Sequence, residues 1–231
     1  MTPEAPPPER ALDALLELLS SPRAPISAAT ARRARQVHLA DSLSGLELEP
    51  LREAERIADL GSGAGLPGLV IAARLPGAWV DLIESVGRKC EFIREAIDGM
   101  RLRNATVVCE RSEDWARGAG REAYDAVVAR AVGRLATIAE LASPLLEPGG
   151  VLVAWKGSRD PEEEAEVERA AARLAMEPVE VRAVRPYPAS RDRHIHLLRK
   201  NGPTPNGLPR RAGMAAKRPF GSEPLQPERT E

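Results

Sequence analysis

The stretch Ile57-Ala-Asp-Leu-Gly-Ser-Gly-Ala-Gly-Leu-Pro-Gly68 indicates the fold class of this 231-residue chain. Its first four residues predict a short buried strand, and the glycines that follow predict a tight turn into a helix. Glycine lets the backbone bend sharply and approach a ligand without a Cβ clash, and the start of a helix offers unpaired N–H groups. This strand–turn–helix pattern is typical of a nucleotide-cofactor site in an α/β domain.

Two carboxylates accompany this turn. Asp59 stands two residues before the first glycine, and Glu84 comes at the end of the next predicted strand. They suit a cofactor that is cationic and carries ribose hydroxyls. S-adenosylmethionine fits that description, and we expect Gly61, Gly63 and Gly65 to let the protein backbone approach it closely.

An NAD site is the competing interpretation, because Gly63 to Gly68 matches the dinucleotide pattern G-x-G-x-x-G and Glu84 lies about 20 residues further on. The hydrophobic strand, however, ends at Leu60, so the turn opens at Gly61 and reads G-x-G-x-G. A pyrophosphate also gains nothing from a neighbouring Asp59, whereas a methionine ammonium or sulfonium does. A plain tight turn without a ligand is the remaining alternative.

Composition limits the class of protein. Hydrophobic residues make up 43% of the chain and charged residues 29%, as in ordinary globular proteins. No apolar run approaches the roughly 20 residues of a membrane span, and the Pro-rich start does not resemble a signal peptide. Cys90 and Cys109 show no metal-ligand spacing and no disulfide framework, so we expect no metal, two small buried cysteines and a cytoplasmic protein.

The C-terminal part of the chain is basic. Residues 199–222 contain six Lys or Arg and no Asp or Glu, although the whole chain has a net charge of −1. The segment is rich in Pro and Gly and shows no helical or strand period. It can follow a phosphate backbone, or it can be a solvated tail with incidental charge. We predict three parts: an N-terminal helical extension (1–50), a cofactor-binding domain (51–200) and a basic tail (201–231).

Strand and helix patterns alternate along the remainder. Helices are predicted at 9–19, 28–43, 66–75, 88–99, 113–117, 135–142 and 161–175. Strands are predicted at 56–60, 79–83, 105–109, 124–129, 151–155 (after a turn at 148–150), 179–184 and 194–199. No helix separates the last two strands, which therefore predict an antiparallel hairpin. The fold class is α/β, with a mostly parallel seven-stranded Rossmann-like sheet and helices on both faces.

Polar residues follow several of the predicted strands. They are Asp59, Glu84, the segment 109–113, Arg130 and Lys156. Since ligands in such sheets bind beyond the carboxyl ends of the strands, we expect these residues to share one site.

Several longer stretches are more specific than the glycine turn. Besides 59–68, they are His38-Leu-Ala-Asp-Ser42, Glu84-Ser85, Gly87-Arg-Lys89, Phe92-Ile93, Arg111-Ser-Glu-Asp-Trp115, Ala129-Arg-Ala131, Lys156-Gly157, Arg193-His194, Leu208-Pro-Arg-Arg-Ala-Gly213 and Ala216-Lys-Arg-Pro219. Through them, in order over roughly residues 37–220, the chain resembles the ribosomal RNA small subunit methyltransferase G family, also called glucose-inhibited division protein B. The resemblance implies a class I S-adenosylmethionine methyltransferase fold and methylation of a guanine of 16S rRNA at N7.

The resemblance also implies roles for individual residues. Gly61 and Leu66 match cofactor-contacting positions, Ser112 and Glu113 match the pair that meets the adenine, and Arg130 matches an arginine near both cofactor and target base. Arg130 is therefore the candidate catalytic residue and also a candidate cofactor-binding residue. By the general pattern of class I methyltransferases, Glu84 would bind the ribose hydroxyls. Structural alternatives stay open: Glu113 could stabilise a helix N-terminus, and Arg130 could be an ion-pair partner. The stretch 38–42 could simply tie the second helix to the domain.

The missing motifs agree with N7 chemistry. The chain has Ala129-Arg-Ala-Val132 where enzymes that methylate amino groups carry an Asn/Asp-Pro-Pro-aromatic loop, and neither cysteine follows a proline as a C5-methylating nucleophile would. Guanine N7 is already nucleophilic and needs no general base. The protein has only to hold N7 in line with the sulfonium methyl group, at about 3–3.5 Å.

The RNA must expose its target base, because N7 faces the deep, narrow major groove of A-form RNA. We expect phosphate contacts, and salt-sensitive binding, from Arg88, Lys89, Lys156, Arg210, Arg211, Lys217 and Arg218. The expected partner is small-subunit rRNA or the 30S particle, without a membrane and with the enzyme as a monomer. An NAD-dependent oxidoreductase and a non-catalytic protein that binds S-adenosylmethionine or RNA are the alternatives.

Overall fold

The computed structural model describes residues 7–222, and its core is one mixed β-sheet. The strands are β1 (Arg56–Leu60), β2 (Trp79–Ile83), β3 (Ala105–Val108), β4 (Tyr124–Arg130), β5 (Leu146–Lys156), β6 (Met176–Val184) and β7 (Arg193–Lys200). They are ordered β3-β2-β1-β4-β5-β7-β6. The first five are parallel, and β7 is antiparallel to both β5 and β6. The predicted sheet and its C-terminal hairpin are confirmed.

Helices cover both faces of this sheet. They are α1 (Pro8–Leu19), α2 (Ala28–Arg32), α3 (Ala40–Ser44), α4 (Glu49–Arg52), α5 (Gly68–Arg74), α6 (Gly87–Met100), α7 (Ser112–Trp115), α8 (Leu135–Ala142), α9 (Pro161–Leu174) and α10 (Met214–Lys217). Side chains alternate along a strand, so Ile57 packs with α1, α5 and α6 while its neighbour Ala58 packs with α8 and α9. Because both faces are buried, the strands read as continuous apolar runs.

The order of the strands positions the site. β1 lies between β2 and β4, with Leu60 paired with Ile83 on one side and with Ala129 on the other. The carboxyl ends of β1, β2, β3 and β4 therefore meet at one edge of the sheet. The residues that follow these strands in sequence are brought together there.

The predicted helix over 28–43 is wrong in detail. Ser27 caps α2 by accepting the N–H of Thr30 at 3.1 Å, and a π-helical turn over Ala34–Leu39 then separates α2 from α3. A π-helical turn shifts the residues that follow it around the helix axis, and such turns are frequent at functional sites. Here the turn contains His38 and leads directly into Asp41.

Other boundaries also differ from the sequence-based prediction. The helix expected from residue 66 begins at Gly68, because residues 62–66 form a separate closed turn. The turn expected at 148–150 is wrong: β5 runs through it, and a shift of register against β4 between Tyr124 and Ala126 absorbs the irregularity. The C-terminal part, expected to lack regular structure, contains the short helix α10.

The N-terminal and C-terminal segments pack against the central sheet. Leu15 and Leu19 of α1 are fully buried in the core cluster that contains α6, and Leu208 is buried in the cluster that contains α8. The three-part division of the chain stays a prediction. In residues 7–222, no helix has both the length and the apolar character needed to cross a membrane.

Candidate functional site

The glycine turn after β1 is held by hydrogen bonds to the neighbouring strand. The N–H groups of Gly61 and Ser62 donate to the carbonyl of Ile83 at 2.9 and 3.1 Å. Gly61, Gly63 and Gly65 have φ angles of 68°, 61° and 84°, a region that side chains with a Cβ rarely adopt. The sequence therefore needs glycine at these three positions to bring the backbone around the end of β1.

Asp59 supports this turn from inside the protein. Its Oδ2 accepts the N–H of Gly68, at the start of α5, at 3.0 Å, and the residue is 1% exposed. Its Oδ1 is the single buried side-chain oxygen or nitrogen in residues 7–222 without a hydrogen-bond partner. Burial raises the pKa of Asp59 to about 6, against the lowering effect of the Gly68 N–H. An unpaired buried carboxylate oxygen is costly, and a cationic ligand group would satisfy it.

Glu84 holds the opposite side of the turn. Its Oε2 accepts the N–H of Gly63 at 3.1 Å, and its Oε1 accepts the N–H groups of Ser85 and Val86 at 2.8 and 2.9 Å. Lys89 lies 3.5 Å from Oε2. The carboxylate is thus fixed in place before any ribose arrives, and Lys89 is its most distant partner.

A cavity of about 200 Å³ lies beyond Glu84. Ser112 and Glu113, both 8% exposed, line it together with Glu84 and Gly61. The predicted adenine pair is thus beside the predicted ribose residue, as the strand order requires. Gly213, Ala215 and Ala216 of the C-terminal segment form another wall of this cavity.

The two cysteines correct the sequence-based prediction. Cys90 and Cys109 form a disulfide between the first turn of α6 and the residue after β3. Cys90 is buried, but Cys109 is exposed rather than buried. No sequence pattern indicated this pairing, because the two residues become neighbours only when β2 and β3 pair. The bridge lies close to Glu84, whose carbonyl is 3.1 Å from the Cys90 Sγ.

Arg130 lies at the end of β4 and is held by the N-terminal helices. Its Nη1 donates to the carbonyl of His38 at 3.0 Å, to Ser42 Oγ at 3.1 Å and to Asp41 Oδ2 at 3.3 Å. Burial lowers the pKa of Arg130, and the carboxylate of Asp41 opposes that effect. The stretch 38–42 therefore positions an arginine as well as tying the helix to the sheet.

A second cavity, of about 490 Å³, surrounds Arg130. Its walls include His38, Lys89, Lys156, Arg193 and Trp155. Burial lowers the pKa of His38, with a further lowering contribution from Arg130. The indole Nε1 of Trp155 donates to the carbonyl of Asp41 at 2.7 Å, which joins β5 to the Arg130 network.

The structure separates the predicted cofactor residues into groups. Gly61 lines both cavities, so the two spaces meet at the glycine turn. Gly63, Leu66 and Arg130 line the larger one. Asp59 and Gly65 line neither of them.

The predicted RNA-binding residues are also spread over different environments. Lys89 and Lys156 line the larger cavity, and Lys156 is paired with Glu163 at 2.7 Å. Arg88 is exposed at the start of α6. Arg210 is engaged inside the protein with Glu140. The remaining three, all in the C-terminal segment, are exposed: Arg211, Lys217 and Arg218.

Several functional candidates were missed by sequence reasoning. Trp155 and Arg193 reach the larger cavity, and the C-terminal residues reach the smaller one. The family motifs include Arg193 and the C-terminal stretch, but a motif does not say which cavity a residue lines. For Trp155 the sequence held no signal.

Comparison with known proteins shows the family of this chain. The sequence model of "rRNA small subunit methyltransferase G" matches residues 14–196. The protein of that name from Rubrobacter xylanophilus is 46% identical over 188 residues, covering 79% of this chain and 72% of that protein. The one from Thermotoga neapolitana is 36% identical over 212 residues, covering 92% and 91%.

Solved structures agree on the fold. Fibrillarin from Aeropyrum pernix, crystallised with natively bound S-adenosyl-L-methionine, matches with a TM-score of 0.53 at 19% identity, over 69% of this chain and 72% of that one. Precorrin-6y C5,15-methyltransferase from Geobacter metallireducens matches with a TM-score of 0.51 at 20% identity, over 71% and 87%. The fold is the predicted class I methyltransferase fold, and the family match described above decides against the dinucleotide interpretation. The chain belongs to the rRNA small subunit methyltransferase G family.

Proposed function

We propose that this protein transfers a methyl group from S-adenosylmethionine to N7 of one guanine in 16S rRNA. Two cavities that meet at Gly61 support this proposal. One has Glu84 and Glu113 in its wall, and the other has Arg130. One space suits the adenosine of the cofactor and the other suits the target nucleotide. Family membership supplies the rRNA substrate and the methyl transfer.

The residues present fit S-adenosylmethionine, which supplies a methyl group bound to a positively charged sulfur. The unpaired Oδ1 of Asp59 is a buried acceptor behind the turn that requires glycine, and it suits a cationic ligand. Glu84 presents a carboxylate already oriented by three backbone N–H groups, as a ribose site requires. Asp59, Gly61, Gly63, Gly65, Leu66, Glu84, Ser112 and Glu113 are therefore our proposed cofactor residues.

Arg130 is the residue best placed to orient the guanine. Within residues 7–222 its hydrogen bonds all come from Nη1, which leaves Nη2 available to a ligand in the larger cavity. Bound S-adenosylmethionine would supply the methyl group, with its sulfur keeping the electron pair of the broken bond, so no proton would have to leave N7. The protein therefore has to align the base and exclude water, and the site needs no general base.

The basic groups around the larger cavity are the proposed contacts for RNA phosphates. Lys89, Lys156 and Arg193 line it, and the exposed Arg88 lies beside Lys89. Phosphate contacts of this kind position RNA without reading its sequence. We propose that the substrate presents its guanine unstacked, that the enzyme works as a monomer, and that it acts in the cytoplasm on 16S rRNA or the 30S particle.

Labelled-methyl transfer tests this function. Purified protein is incubated with labelled S-adenosylmethionine and unmethylated small subunits or naked 16S rRNA, and N7-methylguanosine is mapped by N7-specific strand cleavage. Label at a single guanine is the expected result. Binding of S-adenosylhomocysteine without transfer to either RNA would reject the proposed substrate, and absence of binding would reject the cofactor site as well.

A further inference from the structure

The smaller cavity has a wall that comes from the C-terminal segment of the chain. Residues following β1, β2 and β3 line one part of it, and Gly213, Ala215 and Ala216 line another. These three residues belong to the segment 208–220, which we call the C-terminal strap. The match to the family model ends at residue 196, before the strap begins.

Glu113 connects the strap to the edge of the sheet. Its Oε1 accepts a hydrogen bond of 2.8 Å from the N–H of Gly213, 100 residues further along the chain, and its Oε2 lies 3.2 Å from Ser112 Oγ. Hydrogen bonds to a carboxylate are among the stronger ones in proteins. The strap is therefore fixed directly to the residue pair that follows β3.

Arg210 anchors the strap on its other side. Its guanidinium forms two hydrogen bonds with Glu140 of α8, at 2.5 and 2.6 Å, and donates to the carbonyl of Arg218 at 2.7 Å. Glu140 is 2% exposed. The guanidinium groups of Arg173 and Arg210 also lie 3.9 and 4.0 Å from the centre of the Phe220 ring. The guanidinium of Arg210 is thus paired with the carboxylate of Glu140 in a planar geometry with two hydrogen bonds.

Two backbone contacts complete the attachment. Thr137 Oγ1 donates to the carbonyl of Ala215 at 3.1 Å, and Ala215 is 3% exposed. Arg117 donates to the carbonyl of Arg210 at 2.8 Å. The strap is therefore attached along its length to α8 and to the residues that follow α7.

We propose that the C-terminal strap is the outer wall of the adenine subsite, so that Gly213, Ala215 and Ala216 bind the cofactor. The inference rests on the proposed function, since it takes S-adenosylmethionine as the ligand. A ligand that starts at Gly61 and passes Glu84 reaches Ser112 and then the strap. Residues without bulky side chains on that wall leave room for a flat base.

The outer side of the strap is separate from this wall. Arg211, Lys217 and Arg218 are exposed, and their side chains have no partner in residues 7–222. They remain candidates for phosphate contact, whereas Arg210 holds the strap in place. Loss of the strap should therefore weaken cofactor binding independently of any RNA.

Two alanine positions on the strap provide the test. Ala212 and Ala216 are both exposed, but only Ala216 lines the cavity. In the full chain, A216F should raise the dissociation constant of S-adenosylhomocysteine at least tenfold by filling the subsite, and A212F should change it less than twofold. Calorimetric titration without RNA measures both, and adenosine alone should show the same difference.

A second pair tests the backbone conformation at Gly213, whose N–H donates to Glu113. Gly213 and Gly207 have φ angles of 79° and 88°, and a Cβ added at either would meet no atom of the described residues within 4 Å. The strain of a Cβ at such an angle corresponds to about a fivefold change or more in binding when it opposes the bound arrangement. G213A should weaken S-adenosylhomocysteine binding by about that factor, and G207A should not.

The outcomes separate this inference from the proposed function. Tight binding to the unsubstituted chain, together with equal affinity of A216F and A212F, would overturn the strap as a wall while the cofactor site stands. Failure of the unsubstituted chain to bind S-adenosylhomocysteine would overturn the proposed function, and this inference with it. Weakening confined to A216F and G213A supports the wall.

Discussion

The two cavities at the edge of the sheet differ in charge. The larger one is lined by Lys89, Arg130, Lys156 and Arg193, and its carboxylate, Asp41, is paired with Arg130. The smaller one is lined by three carboxylates and one arginine: Glu84, Glu110, Glu113 and Arg111. An anionic RNA is favoured in the first and a ligand with hydroxyls and an amino group in the second. We propose that this edge of the sheet is divided into an RNA compartment and a cofactor compartment.

The cavities also differ in the terminal segment that lines them. Residues that precede β1, including Thr30, His38 and Asp41, line the larger one, and residues of the C-terminal strap line the smaller one. The wall of each cavity thus combines the ends of central strands with a segment from one end of the described chain. Substitutions in one compartment should therefore leave the function of the other largely intact.

We expect Arg130 to show the strongest effect. Because it is the preorganised donor of the larger cavity, Arg130→Ala should lower methyl transfer to rRNA by about 100-fold to 1,000-fold. The dissociation constant of S-adenosylhomocysteine should change by less than about threefold, as measured by calorimetry.

Stability must be checked for this variant, because removing Arg130 leaves the buried carboxylate of Asp41 without its cation. The double variant Arg130→Ala/Asp41→Asn removes both charges and serves as the control. Normal methylation with normal cofactor binding would reject the assignment of Arg130 to the RNA compartment.

Substitution of Glu84 should have the opposite effect: it should weaken cofactor binding and leave RNA binding unchanged. Glu84→Gln weakens the acceptor of three backbone N–H groups and removes a ribose ligand, so S-adenosylhomocysteine should bind about 10 to 100 times more weakly. Glu110→Gln is the matched control, since Glu110 lines the same cavity but is exposed and accepts no hydrogen bond from residues 7–222.

Affinity for naked 16S rRNA, measured by filter binding, should not change in either variant. Equal loss of cofactor affinity in both would mean that only the charge of the compartment matters. Loss of RNA affinity in Glu84→Gln would contradict the separation of the compartments.

The glycine turn could be predicted from the sequence because it is local. A short apolar strand, glycines at fixed spacing and a following helix occur within twelve residues, so the geometry of β1 and its turn follows from Ile57 to Gly68 alone. Strand ends then indicated Glu84 and Arg130, since parallel strands bring their carboxyl ends to one edge.

Contacts between distant segments could not be predicted in the same way. The hydrogen bond from Gly213 to Glu113 and the pair of Arg210 with Glu140 join residues 100 and 70 positions apart. A basic, Pro-rich segment has the composition of a solvated tail, and nothing in that composition reveals a buried acceptor elsewhere. The Cys90–Cys109 bridge depends likewise on the pairing of β2 with β3.

The pH dependence of cofactor binding should report on Asp59. Burial raises its pKa to about 6, and the ammonium group of a bound ligand would favour the ionised form. The affinity for S-adenosylhomocysteine should therefore rise as the pH increases through about 6 and become constant above it.

Without ligand, the stability of the protein should change with pH in the opposite direction to the binding affinity. A carboxyl whose pKa is raised by folding contributes most to stability at low pH, and that contribution is lost as the pH rises through the folded-state value of about 6. Asp59→Asn should abolish both trends, as titrations and melting curves from pH 5 to 8 would show. A pH profile of binding that survives Asp59→Asn would assign it to another group.

Single cations at the RNA surface should have the weakest effects. Arg88 is exposed, whereas Lys156 is already paired with Glu163. Arg88→Ala should lower the slope of log affinity against log salt by about 0.7 for each phosphate of single-stranded RNA that Arg88 neutralises. Lys156→Ala should change it less, because Glu163 already competes for that charge.

Filter binding of naked 16S rRNA over a range of salt concentrations measures both slopes. Unchanged slopes in both variants would remove these residues from the RNA surface. A larger change for Lys156→Ala would show that RNA displaces Glu163.

A crystal structure of the full chain with S-adenosylhomocysteine would show directly whether the two compartments hold different ligands. We expect the adenine beside Ser112, Glu113 and Ala216, the ribose at Glu84, and the sulfur at the glycine turn, facing the cavity that contains Arg130. Adenine bound beside Arg130, or a ligand outside both cavities, would refute the division into an RNA compartment and a cofactor compartment.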